Sequence, residues 1–353
     1  MTRRPMRVRR TPTCRRGSLF LVLFSLFLVP CSLSVFSQDF RTHTDVVVVP
    51  VTVTDRAGRF VRGLTADQFE ISDGGSRRTI TQFSADRVPV SLGILLDVSG
   101  SMAQDPRARA ADDEKWADTR RALELLVTRL DPRDDVFFAA FSEKVGVALP
   151  WTSEHPRVLR AFDALKPGGR TALFNAVRSI VPAFQLARYQ RKVLLLISDG
   201  QDTSVGLATR RPPTKSETFG NLGPSDPVNI RREAAIVDAK DAVRESETAL
   251  YAIGIGTRRG APVDVATLER LTLDTGGYVE PLRQPSEIAA AVARICDDLQ
   301  SQYLLAFEPG PADGKYHSIT VKTRDNRLRV RARSGYLAIK RRTTENTEST
   351  EKK

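Results

Sequence analysis

The sequence predicts an α/β fold: a doubly wound, mostly parallel sheet flanked by a small β-sandwich-like module drawn from the N- and C-terminal segments. Three observations predict it. Between residues 90 and 301, short continuous apolar runs ("VSLGILLDV", "DDVFFAAFS", "KVLLLISDG", "ALYAIGIG") alternate with amphipathic stretches, as in strands buried on both faces and covered by helices. The segment before them, "TDVVVVPVTVT" at 44–54, is strongly β-branched. The segment after them, "QYLLAFEPGPADGKYHSITVKTRDNRLRVRARSGYLAI", returns to short strands with turns at Pro-Ala-Asp-Gly and Arg-Asp-Asn.

Each element follows from its local pattern. After the first strand, "DRAGR" turns the chain into "FVRGLTADQFEISDGGSRRTITQFS", whose alternation and Asp-Gly-Gly turn predict three or four antiparallel strands in all. "VSLGILLDV" is a buried strand, and Arg107 to Leu130 carry a helical pattern with Trp116, Leu123, Leu126 and Val127 on one face. "DDVFFAAFS" is the next strand and "GVALPWT" an antiparallel or edge partner. Helices are predicted over 154–165 and 171–188, then the strand "KVLLLISDG". A polar loop leads to a helix over 229–246, the strand "ALYAIGIG", a helix over 263–275, a short "GYVEPL" and a helix over 285–301. Both flanks are β-rich and are expected to pack together.

A chain of 353 residues, 41% of them hydrophobic, can bury a full core. Its formal charge of +12 suggests nucleic acid, but the distribution argues otherwise. Seven arginines (Arg3, Arg4, Arg7, Arg9, Arg10, Arg15, Arg16) fall in residues 1–37, which hold no acid; subtracting them from +12 leaves +5 on an ordinary mixed surface. No nucleic-acid partner is expected.

Those arginines precede "SLFLVLFSLFLVPCSLSVF" and Ser37, a basic region and an apolar run with small residues at Val35 and Ser37 that describe a secretory signal peptide. An exported, periplasmic or secreted protein is expected, bound to the membrane only if the leader is retained, since 18–36 come close to the length that spans a bilayer. Pro30 weakens the anchor alternative and stands badly for a lipoprotein anchor at Cys31; the arginine pair before "GSLF" is a weak twin-arginine signal. With Cys14 and Cys31 in the leader, Cys296 stands alone in "AAAVARICDDLQ", a helix core residue that leaves neither a disulfide framework nor a cysteine metal site. The domain plan is a signal peptide over 1–37, an N-terminal β segment over 38–88, the α/β domain over 89–301, a C-terminal β segment over 302–340 packing with 38–88, and a disordered tail over 341–353.

Open parallel sheets bind ligands outside the carboxyl ends of their strands. Three oxygen-rich segments fall there: Asp97, Ser99 and Ser101 after the first α/β strand, Thr171 at a helix start, and Asp199 after "KVLLLIS". Singly, each serine could cap a helix and Asp199-Gly200 could be a turn. Jointly, carboxylate and hydroxyl oxygens suit a hard divalent cation, Mg²⁺ first, with Mn²⁺ and Ca²⁺ as alternatives. With only two acids, such a metal keeps waters and can accept an acidic group from a partner.

"DVSGS" resembles the Asp-x-Ser-x-Ser segment of the metal-ion-dependent adhesion site in von Willebrand factor A domains, "GGRTALFNA" its threonine segment and "LLLISDGQD" its second aspartate segment, in family order over about residues 90–300. The resemblance implies that Ser99 and Ser101 coordinate metal by hydroxyl and that Asp97 and Asp199 bind directly or through water. It implies too that Thr171 joins or leaves as the site changes state, and that a protein partner's Glu or Asp takes the remaining position. "VVVVPVTVTDRAGRFVRGLTADQFEISDGG", "PVSLGILLDVSGSM" and the closing "YLLAFEPG" to "VRARSGYLA" further resemble the acidobacterial von Willebrand factor A-related proteins. Two departures stand out: a long loop over 203–228 starting at the metal face, read as a mobile insertion or a partner-contact lid, and Asn175 where an aspartate often follows the threonine segment. Asp202 reads as a turn acid, with a supporting role behind the metal ligands as the alternative.

The expected function is therefore an exported binding protein that recognises a protein through a divalent cation. The alternatives are an envelope scaffold or assembly factor with a structural metal, and a metal-dependent hydrolase. No enzyme is expected: Ser99 stands where phosphoryl-transfer hydrolases need a second aspartate, and none of the three histidines (His43, His155, His317) falls in the constellation. The sequence also lacks a Gly-x-Ser-x-Gly elbow, a phosphate loop and a Rossmann glycine pattern.

Overall fold

In the computed structural model, which describes residues 46–100, 111–205, 226–256 and 263–339, the chain opens with four strands, β1 (Val47–Thr54), β2 (Phe69–Asp73), β3 (Ser76–Arg78) and β4 (Ile80–Ser84). The α/β part follows as β5 (Ser91–Asp97), α1 (Ala111–Arg129), β6 (Asp135–Phe141), β7 (Val145–Thr152), α2 (Arg157–Asp163), α3 (Leu173–Ile180), β8 (Lys192–Ser198), α4 (Pro227–Glu245), β9 (Ala249–Ile255), α5 (Val265–Thr272), β10 (Val279–Leu282) and α6 (Ile288–Gln300). The chain closes with β11 (Tyr303–Phe307), β12 (Tyr316–Thr323), β13 (Arg329–Ala332) and β14 (Gly335–Leu337). The segment over 1–37 expected to be a signal peptide, Ser101, most of the 203–228 loop and the 341–353 segment lie outside the described residues.

The six-stranded sheet has the order β10-β9-β8-β5-β6-β7, parallel throughout except for β7, which runs antiparallel to β6. All seven residues of β5 and of β6 are buried, as continuous apolar runs between two helical layers require. Successive strands build outward from β5 in one direction and then, from β8, in the other. The strand order reverses between β5 and β8, where an open α/β sheet has its crevice.

Helix ends depart from the sequence expectation for local reasons. The helix expected over 171–188 stops at Ile180, and a 3₁₀ turn carries Val181–Leu186, because Pro182 removes a donor from the α ladder. The helix expected from 154 starts at Arg157, with Pro156 as its N-cap. Residues 285–287 form a 3₁₀ turn ahead of α6, which buries Cys296.

One face of β5 is set by an aromatic cluster. The rings of Phe137, Trp151 and Phe184 meet edge-on with centroids 4.7–5.5 Å apart. A Cβ on Gly93 would stand 2.3 Å from the Phe137 ring.

The flanking segments form two antiparallel sheets, β13-β1-β11-β4 and β14-β12-β2-β3. β1 pairs with both β11 and β13, and β12 pairs with β2, so each sheet interleaves N- and C-terminal strands. Val49, Val51, Phe69, Ile71, Leu305, Phe307 and Ile319 fill the space between them.

A buried polar seam joins this module to the α/β part at the end of the sheet where β5 and β9 begin. Asp298, in the last turn of α6 with a fully buried side chain, accepts from the Thr52 hydroxyl at 2.7 Å, the Tyr251 hydroxyl at 2.7 Å and Arg331 Nη2 at 2.6 Å. Gln302 donates to Tyr251 at 3.0 Å and accepts from buried Arg191, which also donates to the Val88 and Leu299 carbonyls.

Two outcomes follow for stability. Gly93→Ala will overpack the aromatic cluster and lower the unfolding free energy by about 1–3 kcal/mol in urea titration. Asp298→Ala will cost about 3–5 kcal/mol, because it removes the buried acceptor shared by Thr52, Tyr251 and Arg331; equal midpoints for wild type and variant would show that the seam carries no load.

Candidate metal centre

The apolar run of β5 delivers Asp97 to the crevice between β5 and β8 with none of its surface exposed. Its Oδ1 accepts the Ser99 amide at 2.9 Å, and its Oδ2 accepts the Ser198 hydroxyl at 2.8 Å. Ser198 Oγ in turn accepts the Gly200 amide at 3.1 Å. Ser99, 1% exposed, faces the same interior.

The loop that follows β5 is held by the loop that precedes α3. The Gly168 amide donates to the Val98 carbonyl at 2.7 Å, and the Gly100 amide to the Gly169 carbonyl at 2.8 Å. Thr171, 4% exposed, continues this second loop. Its amide donates to Thr203 Oγ1 at 3.0 Å, and its carbonyl accepts the Thr203 amide at 2.9 Å.

Asp199 follows the last residue of β8 and is 6% exposed. Its Oδ1 accepts the Gln201 amide at 3.0 Å. Gly200 holds φ +81°, and a Cβ there would approach the Asp264 carbonyl to 2.7 Å, so both the turn and the close approach need glycine. The Asp264 amide donates to the Asp199 carbonyl at 2.9 Å.

The three loops therefore interlock, and they bring Asp97, Ser99, Thr171 and Asp199 to one crevice. Ser101 lies outside the described residues. Sequence reasoning missed two supports. Ser198 orients Asp97, and Thr203 ties down Thr171. Asp202, for which the sequence left a supporting role open beside that of a turn acid, does both: its Oδ2 accepts the Phe174 amide at 3.1 Å at the start of α3, while its Oδ1 takes the amide and hydroxyl of Ser204. Only the run of oxygen side chains in "SDGQDTS", starting at the last residue of β8, signals them.

The electrostatics of Asp97 are unusual. Burial lifts its carboxyl to about 6, and the like charge of Asp199 adds to this against hydrogen bonds from Ser99 and Ser198. Three other buried acids are neutralised by arginine, since Asp298 takes Arg331, Asp134 takes Arg87 and Asp73 takes Arg78, whereas buried Asp135 takes only the Arg188 amide, at 3.4 Å. Among the described residues no salt bridge reaches Asp97 or Asp199. A buried carboxylate facing a second acid without a basic partner fits an added cation, and an all-oxygen donor set of carboxylates and hydroxyls fits a hard divalent one. Among the described residues no group of three or more His, Cys, Asp and Glu could hold a metal ion; a cation here would rely on hydroxyls beside two acids.

The von Willebrand factor type A domain model matches residues 92–201. No curated protein matches the sequence. Among solved structures, an aerotolerance-related membrane protein from Bacteroides fragilis is 16% identical, covering 59% of this chain and 98% of its own at a TM-score of 0.41. The von Willebrand domain of the type V pili tip protein Mfa5 from Porphyromonas gingivalis is 14% identical, covering 60% and 95% at 0.45. Proximal thread matrix protein 1 from the mussel byssus, with a zinc-occupied MIDAS motif, is 17% identical, covering 61% and 49% at 0.40.

Millimolar Mg²⁺ or Mn²⁺ is expected to raise the thermal midpoint relative to EDTA, since a ligand bound only by the folded state stabilises it. Asp97→Ala and Ser99→Ala will abolish that difference; a metal-induced shift that survives in both variants would place the cation elsewhere.

Proposed function

We propose that this chain, which carries a von Willebrand factor type A domain over residues 92–201, binds a protein partner through a divalent cation held at the crevice between β5 and β8. Asp97, Ser99, Ser101, Thr171 and Asp199 would hold the ion, Mg²⁺ first, which supplies an electrophilic position that a partner's Glu or Asp can occupy. One observation carries this: Asp97 is buried beside Asp199, with hydroxyl groups rather than basic side chains around it.

The chain's own residues define what such a site accepts. Two carboxylates balance a divalent charge and leave no surplus negative field against an incoming carboxylate, whereas a third acid would repel it. Asn175, in the first turn of α3, adds no charge; its Oδ1 accepts from Arg178 and Ser179. The backbone bonds between the three loops fix the oxygens before a partner arrives, which lowers the ordering cost of association.

Histidine general-base chemistry finds no support at this crevice. His155 Nε2 bonds the Asp134 carbonyl at 2.8 Å, at the opposite end of the sheet, and His317 lies between Asp73 and Asp313 in the β module. His43 is outside the described residues. Export belongs to the same proposal and rests on the leader sequence. Among the described residues no helix is long and apolar enough to cross a membrane.

The test is retention of envelope proteins of the source cells on the immobilised chain in Mg²⁺, followed by elution with EDTA. Partner bands should elute with the chelator and be missing on Asp97→Ala and Ser99→Ala columns whose chains melt as cooperatively as wild type. Retention that ignores both chelator and substitutions would instead assign the contacts to the β module, the scaffold alternative.

A further inference from the structure

Away from the metal crevice, an open cleft of about 660 Å³ runs along the seam between the β module and the α/β part. The turn after β1 forms one wall with Arg59, Phe60 and Arg62; Tyr278, at the entry to β10, and Arg294 of α6 form the other, with Arg331 between them. Tyr278 precedes β10 and Asp297 sits in the last turn of α6, so the cleft lies at the end of the sheet opposite Asp97.

The charges in this cleft do not cancel. Its two acids are already satisfied: Glu280 receives Arg294 through Nε and Nη2 at 3.0 and 2.6 Å, and Asp297 receives Arg129 at 2.8 Å. Arg331 is committed to Asp298, and its guanidinium carbon lies 4.6 Å from the Tyr278 ring centroid. Arg62 is different. It donates to the neutral Ser301 hydroxyl at 2.9 Å, and among the described residues no carboxylate pairs with it. Arg59 is ion-paired with Asp55 through Nε at 2.8 Å, and its side chain, 83% exposed, keeps both Nη groups for another acceptor. Two guanidiniums on one turn therefore keep forked donors for an anion beside two aromatic rings, and that fork matches a carboxylate in two parallel bonds.

We infer that this cleft binds an acidic, aromatic-bearing peptide segment of a partner protein, without a metal. The carboxylate pairs with Arg62 and Arg59, and the apolar side chain lies against Phe60 and Tyr278. The volume is far larger than a bare anion needs and suits several peptide residues. The site acts by charge and stacking and is independent of the cation at Asp97.

Titration calorimetry on the intact chain in EDTA tests it, with an N-acetylated, C-amidated pentapeptide of alternating glutamate and phenylalanine as the probe. Saturable binding is expected, weakening as salt rises. Arg62→Glu should lower affinity by about tenfold or more, the scale of a lost charge-assisted contact, and Arg59→Ser by a smaller factor. Both lie on an exposed turn, and unchanged thermal midpoints will certify their folds. Asp97→Ala should bind the peptide as wild type does. Three results would overturn the proposal: no saturable binding in EDTA, binding indifferent to both arginine substitutions, or full displacement by inorganic phosphate at the peptide's own concentration, which would mark a simple anion site.

Discussion

Asp298 is the point on which the two parts of this molecule depend. Its side chain is removed from water, and it is satisfied by a hydroxyl from β1, a hydroxyl from β9 and a guanidinium from β13. Without Arg331 the Asp298 carboxylate would be a buried charge with no counter-charge. Burial and the adjacent Asp298 charge also push the Tyr251 hydroxyl above its ordinary range, so it remains a donor. The sheet and the β module are held in one relation by a contact that no single part can make.

Asp97 shows the same physics with the opposite resolution. It too is a carboxylate at the end of an apolar element and out of water, yet it meets hydroxyls and another acid where Asp298 meets arginine. Asp73, Asp134 and Asp298 are paired with arginines, whereas Asp97 faces a second acid, Asp199. Buried ionisable groups without a protein counter-charge concentrate where a chain binds something. The crevice arises from topology, because the chain reverses its direction of winding between β5 and β8.

Much of this was legible in the sequence. The runs "SLGILLD" and "KVLLLIS" could only be strands buried on both faces, and oxygen side chains directly after them had to lie at the carboxyl ends of the sheet. The valine-rich N-terminus and the alternating C-terminus spoke equally clearly for two β segments, since their side-chain period is local. What the sequence hid was every support that depends on a distant partner. Thr52 and Asp298 are 246 residues apart, and neither carries a local sign of the other. The helix expected through 188 failed at Pro182 because apolar periodicity continues through a residue that the hydrogen-bond ladder does not tolerate. Asp202 looked like a turn acid because its bond to Phe174 crosses between loops 28 residues apart.

The interleaving of the β module has a mechanical side. The chain enters the α/β part from β4 and leaves it into β11, and these two strands are hydrogen-bonded neighbours, with Ser84 opposite Leu304 and Phe83 opposite Leu305. Tension applied along the backbone from one flank to the other is therefore shunted across this ladder and bypasses the sheet that carries Asp97 and Asp199. The crevice between β5 and β8 sits on an unloaded branch of the molecule, able to keep its geometry while the strands behind it bear a pull.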